Sequence, residues 1–158
     1  MKAAIIAITL LVAGALASPA RAGTSEDVRT LYNTFAAAQN AHDLKMVESL
    51  FLDSPKFLWV SDGLSIWGRE ATLKRMALFQ EAETWRVEPA LEKATVVEVC
   101  GDTAFYHLPL DLVFGQKGAA PAKFKFLVSM LCIRTAEGWR IAALFTTTQN
   151  PKADGNGS

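Results

Sequence analysis

The stretch KFKFLVSMLCIRTAEGWRIAALFTTT, residues 123–148, decides the fold because it forms a hairpin that is apolar on both faces. Alternate residues of a strand point to opposite sides of a sheet. A sheet with one wet face would carry polar residues at every second position, so both faces of this hairpin must be covered. In the second strand, alternation predicts that every second residue shares one face: Trp139, Ile141, Ala143 and Phe145.

The first 22 residues have the order of a secretory signal peptide. Met1-Lys2 precedes an apolar run from Ala3 to Ala17, and Ala20-Arg21-Ala22 has the pattern of a cleavage site. The run is shorter than the ~18 residues that a spanning helix usually needs. We therefore expect cleavage after Ala22, a periplasmic or secreted protein with no membrane attachment after cleavage, a domain over residues 23–150 and a disordered tail over residues 151–158.

Composition excludes several classes of partner and site. The formal net charge is 0, and it falls to −2 when the leader removes Lys2 and Arg21. This balance argues against nucleic acid, which requires a clustered basic surface. The two histidines, His42 and His107, have no ligand spacing between them, so no metal site is predicted. No motif indicates a cofactor.

Two cysteines, Cys100 and Cys132, occur in a chain that we expect to enter an oxidising compartment. A disulfide is chemically possible there. The predicted strand pairing puts the two residues on strands that are not adjacent and about three positions out of register, too far apart for the bond. We therefore expect two buried thiols.

The periodicity of apolar residues predicts three helices before the main sheet. A short hairpin, Phe57–Val60 with Leu64–Trp67, separates the second helix from the third. Pro89 interrupts the first long strand and indicates a bulge or an edge there. The predicted helices are Thr24–Ala41 with a hydroxyl cap, a shorter one capped by Asp43, and Arg69 to about Ala82.

This order of elements resembles the NTF2-like superfamily, and within it the SnoaL-like and DUF4440 groups. The residues that carry the resemblance are Asn40-Ala41-His42-Asp43, Trp67-Gly68-Arg69-Glu70 and Gly138-Trp139-Arg140-Ile141. The resemblance covers about Ser25 to Gln149. It implies an α+β, cystatin-like cone in which three N-terminal helices pack on a strongly curved antiparallel sheet. It also implies an apolar pocket, and homodimers through the outer face of the sheet.

Family members include ketosteroid isomerases, whose chemistry needs a tyrosine donor, a carboxylate base and a late-strand acid. The matching positions here are Phe35, Trp59, and Val128 or Ser129, which lack those groups. A carboxylate in an apolar pocket and fixed donors are what such enolate chemistry requires. Ketosteroid-type isomerisation is therefore disfavoured.

His107 and Asp111 are the remaining catalytic candidates. They stand four residues apart on one predicted strand, so both point to the same face. On the pocket face they could form an acid/base pair, as in cyclase-like members of the family. On the outer face they would be a subunit contact or a solvated pair. Alternation alone leaves the side open.

Aromatic residues are the candidates for a binding pocket. Trp59 and Trp67 come from short elements near the place where the family's cavity opens, and Tyr32 and Phe35 belong to the first helix. Aromatic walls with few polar groups suit a small apolar ligand, although such residues are also ordinary core. Arg69 is a candidate charge at the pocket mouth, with a water-facing helix start as its alternative.

Together with the resemblance, which implies the pocket and the homodimer, these patterns predict an exported protein that binds a small hydrophobic molecule. Two alternatives remain open at this stage. One is a small lyase, isomerase or cyclase that uses His107 and Asp111. The other is a protein interaction module whose pocket is filled by its own side chains. The sequence names neither a ligand nor a reaction.

Overall fold

The computed structural model describes residues 23–150. The predicted leader and the predicted tail lie outside these residues. Three helices and a seven-stranded sheet make up the α+β fold. The elements in chain order are α1 Thr24–Asn40, α2 Leu44–Leu50, β1 Leu58–Ser61, β2 Leu64–Trp67, α3 Arg69–Gln80, β3 Thr84–Pro89, β4 Thr95–Cys100, β5 Thr103–Gly115, β6 Ala122–Thr135 and β7 Gly138–Thr148.

The sheet is mixed, although the sequence predicted an antiparallel one. Its strand order is β2-β1-β7-β6-β5-β3, and β4 also pairs with β5. All of these pairs are antiparallel except β1 with β7, which run parallel. The chain between β1 and β7, which includes α3, is long enough for the crossover that a parallel pair requires. The short hairpin thereby extends the wall formed by the long strands.

The strand predicted around Pro89 is two strands. β3 ends at Pro89, a short 3₁₀ turn covers Leu91–Lys93, and β4 begins at Thr95. Both strands pair with β5, β3 along its second half and β4 along its first. Proline has no N–H for a ladder, so the end of β3 at this residue is the expected result.

The helix boundaries follow local chemistry, with one correction at the start of α1. The expected hydroxyl cap is absent: Gly23 is the N-cap, and the Ser25 hydroxyl instead donates to Glu98 Oε1 at 3.1 Å. At α2 the expected cap is confirmed, because Asp43 Oδ1 accepts from the Met46 N–H at 2.9 Å. His42, at φ 56°, adopts the left-handed conformation that separates α1 from α2.

A β-bulge in β7 changes which residues face the helices. Leu131 of β6 pairs with Ala143, but the next residue, Cys132, pairs with Ile141, so Ala142 is left over. An extra residue reverses the alternation beyond it. Ile141 and Leu144 therefore both face the helices, and Ala143 lies on the outer face. The single face predicted for alternate residues of this strand was wrong from Ala143 onwards.

The hydrophobic core lies between the helices and the inner face of the sheet. Val28, Tyr32 and Phe35 of α1 are almost fully buried, and Met130 and Ile141 meet them from the sheet. Among residues 23–150, no helix is both long and apolar enough to cross a membrane.

The two cysteines are free, as expected, but only one is buried. Cys132 is fully buried on β6, whereas Cys100 is exposed at the end of β4. Both strands pair with β5, at Ala104 and Thr103, so the offset is one residue and not three. The expectation that Cys100 is buried was wrong: Cys100 ends β4, an edge strand that pairs only with β5, and stands next to the exposed turn at Gly101 and Asp102.

Candidate functional site

A cavity of about 330 Å³ opens between the inner face of the sheet and helices α1 and α3. Its volume falls at the lower end of the range of small-molecule sites. Most of the surface is apolar, and polar atoms come from a few side chains. The lining residues are Tyr32, Phe35, Gln39, Trp59, Ser61, Asp62, Arg75, Met76, Phe79, Trp85, Val87, Leu110, Leu112, Phe126, Val128, Leu144 and Thr146.

Helical and strand periodicity explain why these residues meet. Residues three, four or seven positions apart share a helix face, so Tyr32, Phe35 and Gln39 line the cavity together from α1. On α3 the same rule groups Arg75 with Phe79. Along β5 and β6 every second residue faces inward, and the bulge in β7 restores this orientation for the end of that strand.

The aromatic wall is held in place by its own contacts. Trp59 Nε1 donates to Thr146 Oγ1 at 3.1 Å, which fixes the indole against β7. The Phe79 ring stacks on Trp85 with centroids 5.5 Å apart and meets Trp59 edge-on at 6.3 Å. Stacked and edge-to-face pairs of this kind contribute beyond their buried area. These contacts therefore fix the three rings of the wall relative to one another.

Tyr32 supplies a neutral hydroxyl at the inner end of the cavity. Its ring stacks on Tyr106 at a centroid distance of 4.8 Å. Burial raises the pKa of Tyr32 well above its ordinary value, and the nearby Tyr106 adds to the effect. The phenol therefore stays protonated at neutral pH and can only donate or accept a hydrogen bond as a neutral group.

Two nitrogen donors of the wall have no partner. Arg75 Nε and Trp85 Nε1 are both buried, and neither makes a hydrogen bond among the described residues. The Arg75 guanidinium lies over two rings, 5.0 Å from the centroid of Phe79 and 5.6 Å from that of Trp59. Buried donors are almost always paired in native proteins. Arg75 Nε and Trp85 Nε1 are therefore two hydrogen-bond donors of the cavity wall for which residues 23–150 provide no acceptor.

The single carboxylate of the cavity lining in the described chain is Asp62, at the turn after β1. Its side chain is exposed, and its Oδ1 accepts from the Thr148 hydroxyl at 3.4 Å. Asp62 forms no ion pair with Arg75. Asp62 therefore does not act as a counter-ion for the guanidinium inside the cavity.

Three of the five predicted pocket residues line the cavity, and two lie elsewhere. Tyr32, Phe35 and Trp59 are in the lining. Trp67 is 59% exposed and, with Arg69, borders a separate shallow depression on the α2–α3 side. Arg69 bonds to Asp53 Oδ1 at 3.0 Å and to Glu48 Oε1 at 3.5 Å. Arg69 thus ties α3 to α2 and is not at the cavity mouth.

His107 and Asp111 lie on the outer face of the sheet, away from the cavity. Their neighbours on β5, Leu108 and Leu110, face inward, and alternation sends the odd-numbered residues out. His107 Nδ1 is 2.9 Å from Ser129 Oγ. Asp111 pairs with Lys123 at 3.5 Å and Lys125 at 3.8 Å. The structure therefore forms no acid/base pair from these two residues inside the cavity.

Sequence reasoning missed Arg75, Gln39 and Asp62 as cavity residues. A signal for Arg75 was present, since it stands one helical turn after Thr72 and one before Phe79, both of which face inward. Gln39 is likewise one turn beyond Phe35. A charged or amide side chain beside an apolar helix face is commonly assigned to the edge between core and solvent. Only the three-dimensional structure shows that Arg75 and Gln39 line the cavity instead.

The sequence matches the model of the SnoaL-like domain over residues 28–144. The chain belongs to the SnoaL-like family. A search of curated proteins finds no match. Within residues 23–150 of this SnoaL-like protein, no three His, Cys, Asp or Glu side chains are grouped so that they could hold a metal ion.

Solved structures place the SnoaL-like chain in the NTF2-like, cystatin-like fold. An NTF2-like protein from Streptomyces avermitilis, described as a candidate dehydratase, superposes with a TM-score of 0.72 at 19% identity, over 80% of this chain and 97% of that one. A protein with a cystatin-like fold from Caulobacter vibrioides gives 0.71 at 16%, over 84% and 94%. A ketosteroid isomerase-like protein from Erwinia carotovora atroseptica gives 0.66 at 17%, over 80% and 96%. At these identities the likeness concerns the fold alone.

Proposed function

We propose that this SnoaL-like protein binds a small, mainly apolar molecule in the cavity between the sheet and α1 and α3. The observation that carries the proposal is the preformed aromatic wall of Trp59, Phe79 and Trp85 around about 330 Å³ of space. Rigid aromatic surfaces with a few polar groups are typical of small-molecule sites. A module with a pocket filled by its own side chains would lack this space.

Binding accounts for the site better than catalysis by the sequence candidates. His107 and Asp111 are occupied by partners on the outer face. In the described lining, Asp62 is the single carboxylate, and it lies exposed at the rim. General acid/base catalysis needs a group within hydrogen-bond reach of the reacting atom, with a pKa suited to the task. The cavity wall supplies hydrophobic contact and donors but no such pair.

The test is binding of N-phenylnaphthylamine, a neutral apolar dye, followed by its fluorescence. The unmodified protein should bind one dye per chain in a saturable manner. Val128→Trp places an indole in the cavity from the middle of β6 and should weaken binding at least about tenfold, since overlap with the ligand costs more than ~1.4 kcal/mol. Leu78→Trp is the control, because Leu78 is 66% exposed on α3 and does not line the cavity.

Equal dye affinity in the unmodified and Val128→Trp proteins would place any binding outside the cavity. Absence of saturable binding to the unmodified protein would refute the proposal itself. Circular dichroism on both variants checks that the fold is intact before affinities are compared.

We also propose that the outer face of the sheet packs against a second copy of this chain. Val97, Phe105 and Phe145 are 55%, 41% and 36% exposed on this face, an unusual number of large apolar side chains for neighbouring strands. At one end of the face, Glu88 and Asp111 alternate with lysines. A surface that carries both signs can complement itself across a two-fold axis.

Sedimentation equilibrium tests the second copy. The unmodified protein should be a dimer at micromolar concentration, and Phe105→Glu should shift it to monomer because a carboxylate in the contact would be desolvated without a partner. Leu78→Glu carries the same charge on α3 and should leave the dimer intact. A monomeric unmodified protein contradicts the proposal, and so does a Phe105→Glu dimer of undiminished stability.

The leader-like residues 1–22 support export as part of the same proposal. The intact mass of protein recovered from cells that express the full sequence should correspond to a chain that begins at Gly23. Recovery of the full-length mass from the cytoplasm would contradict export.

A further inference from the structure

We propose that the cavity selects ligands that carry an anionic oxygen head, such as a carboxylate, on an apolar body, with Arg75 as the anchor. This inference rests on the proposed binding function and specifies its ligand class. It depends on two unpaired donors of the wall, Arg75 Nε and Trp85 Nε1, and on the lack of a counter-ion for Arg75 among the described residues.

Arg75 is a permanent charge in the cavity wall with no counter-ion. Its Nε is buried without a hydrogen-bond partner, and the described chain provides no carboxylate within ion-pairing distance. A guanidinium does not lose its proton in proteins, so neutralisation does not relieve the cost of burial. The contacts with the Phe79 and Trp59 rings offset the loss of water only at the flat faces of the guanidinium. At the edge of the group, the buried Nε–H still lacks an acceptor.

Arg134 shows how this chain treats a cation of similar burial. Its guanidinium also lies over an indole, at 4.7 Å from the ring centroid of Trp139. Unlike Arg75, it is paired with a carboxylate: Arg134 Nη2 lies 3.5 Å from Asp27 Oδ2, and the Trp139 Nε1 donates to the same oxygen at 3.3 Å. Asp102 Oδ1 lies 3.9 Å from Arg134 Nε, although that nitrogen, like Arg75 Nε, makes no hydrogen bond. The difference between the two arginines is therefore the counter-ion: Arg134 has Asp27 and Asp102 beside it, and Arg75 has no carboxylate beside it among the described residues.

The cavity wall also places an arginine and indoles beside one another, but in a different arrangement, since Arg75 lies over Phe79 and Trp59 and not over Trp85. Arg75 and Trp85 both contact the Phe79 ring, and Nε of the first and Nε1 of the second are the unpaired donors. Arg134 takes carboxylates as its partners, so a carboxylate of a bound molecule is the partner that we infer for Arg75. Charge-assisted bonds from arginine to a carboxylate are the strong class of hydrogen bond, and a dry aromatic wall strengthens them further.

The remaining polar groups of the lining agree with one anionic head and not with a polyanion. Gln39 and Ser61 are neutral, and the Asp62 carboxylate at the rim would repel a second negative charge. One cation in an otherwise apolar cavity of about 330 Å³ fits a small monocarboxylate with a ring or branched body.

Calorimetry with two probes of the same shape, naphthoate and naphthamide, tests the inference at neutral pH. The unmodified protein should bind naphthoate at least about tenfold more tightly than naphthamide, the effect of a hydrogen bond to a charged group. Arg75→Met keeps an unbranched side chain against the rings but removes the charge. It should lower naphthoate affinity by about tenfold or more and leave naphthamide affinity within about twofold.

Two further variants separate the contributions. Lys74→Met removes one positive charge from the neighbouring position on α3, where Lys74 is exposed and paired with Glu70, so it should change neither affinity. Trp85→Phe keeps a ring but removes the indole N–H, and should weaken naphthoate binding by a few fold without affecting naphthamide. Thermal unfolding of each variant confirms that it is folded.

The outcomes distinguish this inference from the proposed function. If both probes bind the unmodified protein equally, or if Arg75→Met leaves the preference for naphthoate unchanged, selection of an anion by Arg75 is refuted while an apolar binding site stands. If neither probe binds and N-phenylnaphthylamine does not bind either, the binding function itself is refuted, and the ligand class with it.

Discussion

Replacing Asn40 by alanine should loosen the edge of the cavity without touching its lining. Asn40 lies at the end of α1, and its side-chain amide clamps the main chain of Val87 in β3. Nδ2 donates to the Val87 carbonyl at 2.9 Å, and Oδ1 accepts from the Val87 N–H at 2.8 Å. Because β3 is an edge strand, the amide takes the place of a missing neighbouring strand.

The expected cost follows from two neutral hydrogen bonds. Each contributes about 0.5–1.5 kcal/mol net, which gives a range of about 1–3 kcal/mol for the pair. Asn40 itself is exposed, so water can take over part of the bonding, and we expect about 1–2 kcal/mol. Urea unfolding should show this as a lower midpoint with an unchanged dependence on urea concentration.

Asn33→Ala is the control, because Asn33 is exposed on the same helix and its side chain makes no hydrogen bond within residues 23–150. If the two variants unfold with free energies within about 0.5 kcal/mol of each other, the clamp does not hold β3 and the reasoning is refuted. A further consequence is measurable, since Val87 lines the cavity: Asn40→Ala should also weaken binding of the apolar dye.

The remaining predictions concern thiols and a helix cap. Iodoacetamide should label exposed Cys100 in the native protein and leave buried Cys132 unlabelled until urea unfolds the chain; equal labelling rates would contradict the packing. Burial raises the pKa of Cys132 to about 12, above the unfolded value of about 8.5. The folded chain therefore keeps a proton that the unfolded chain loses, so the free energy of unfolding should decrease as pH rises from about 9 to about 12, by up to ~1.4 kcal/mol per pH unit from this group. Cys132→Ala should show a shallower decrease, and an unchanged slope would count against the assignment. Asp43→Ala removes the cap of the Met46 N–H and should lower the free energy of unfolding by about 1 kcal/mol, whereas Asp43→Asn should retain most of the stability.

The helices, and the order in which helices and strands follow one another along the chain, could be predicted because they depend on local periodicity. The apolar stripe of α1 and the Asp43 cap can be recognised from residues a few positions apart. Pro89 ends β3 because proline has no N–H for the strand ladder. The parallel pairing of β1 with β7 could not be predicted in this way. It joins residues more than 80 positions apart, as in Leu58 with Ala143, and no local pattern records such a contact.

The candidate site was partly predictable for the same reason. Tyr32, Phe35 and Trp59 belong to apolar patterns that must face the interior. The side on which His107 and Asp111 lie was undecidable, because β5 carries apolar residues on both faces, including Phe105 outside. The role of Arg75 depends on the absence of a counter-ion around it, which is a property of the folded surroundings and not of the helix sequence.

The extra residue at Ala142 links the cavity with the outer face of the sheet. It sets the facing of the last part of β7, so that Leu144 and Thr146 enter the cavity while Phe145 stays on the outer face. Loss of this one residue would exchange those assignments and bring Phe145 inward. An insertion or deletion at this position therefore changes the cavity lining and the outer face of the sheet at the same time. Any variant sequence that alters the bulge would need new side chains on both faces of β7.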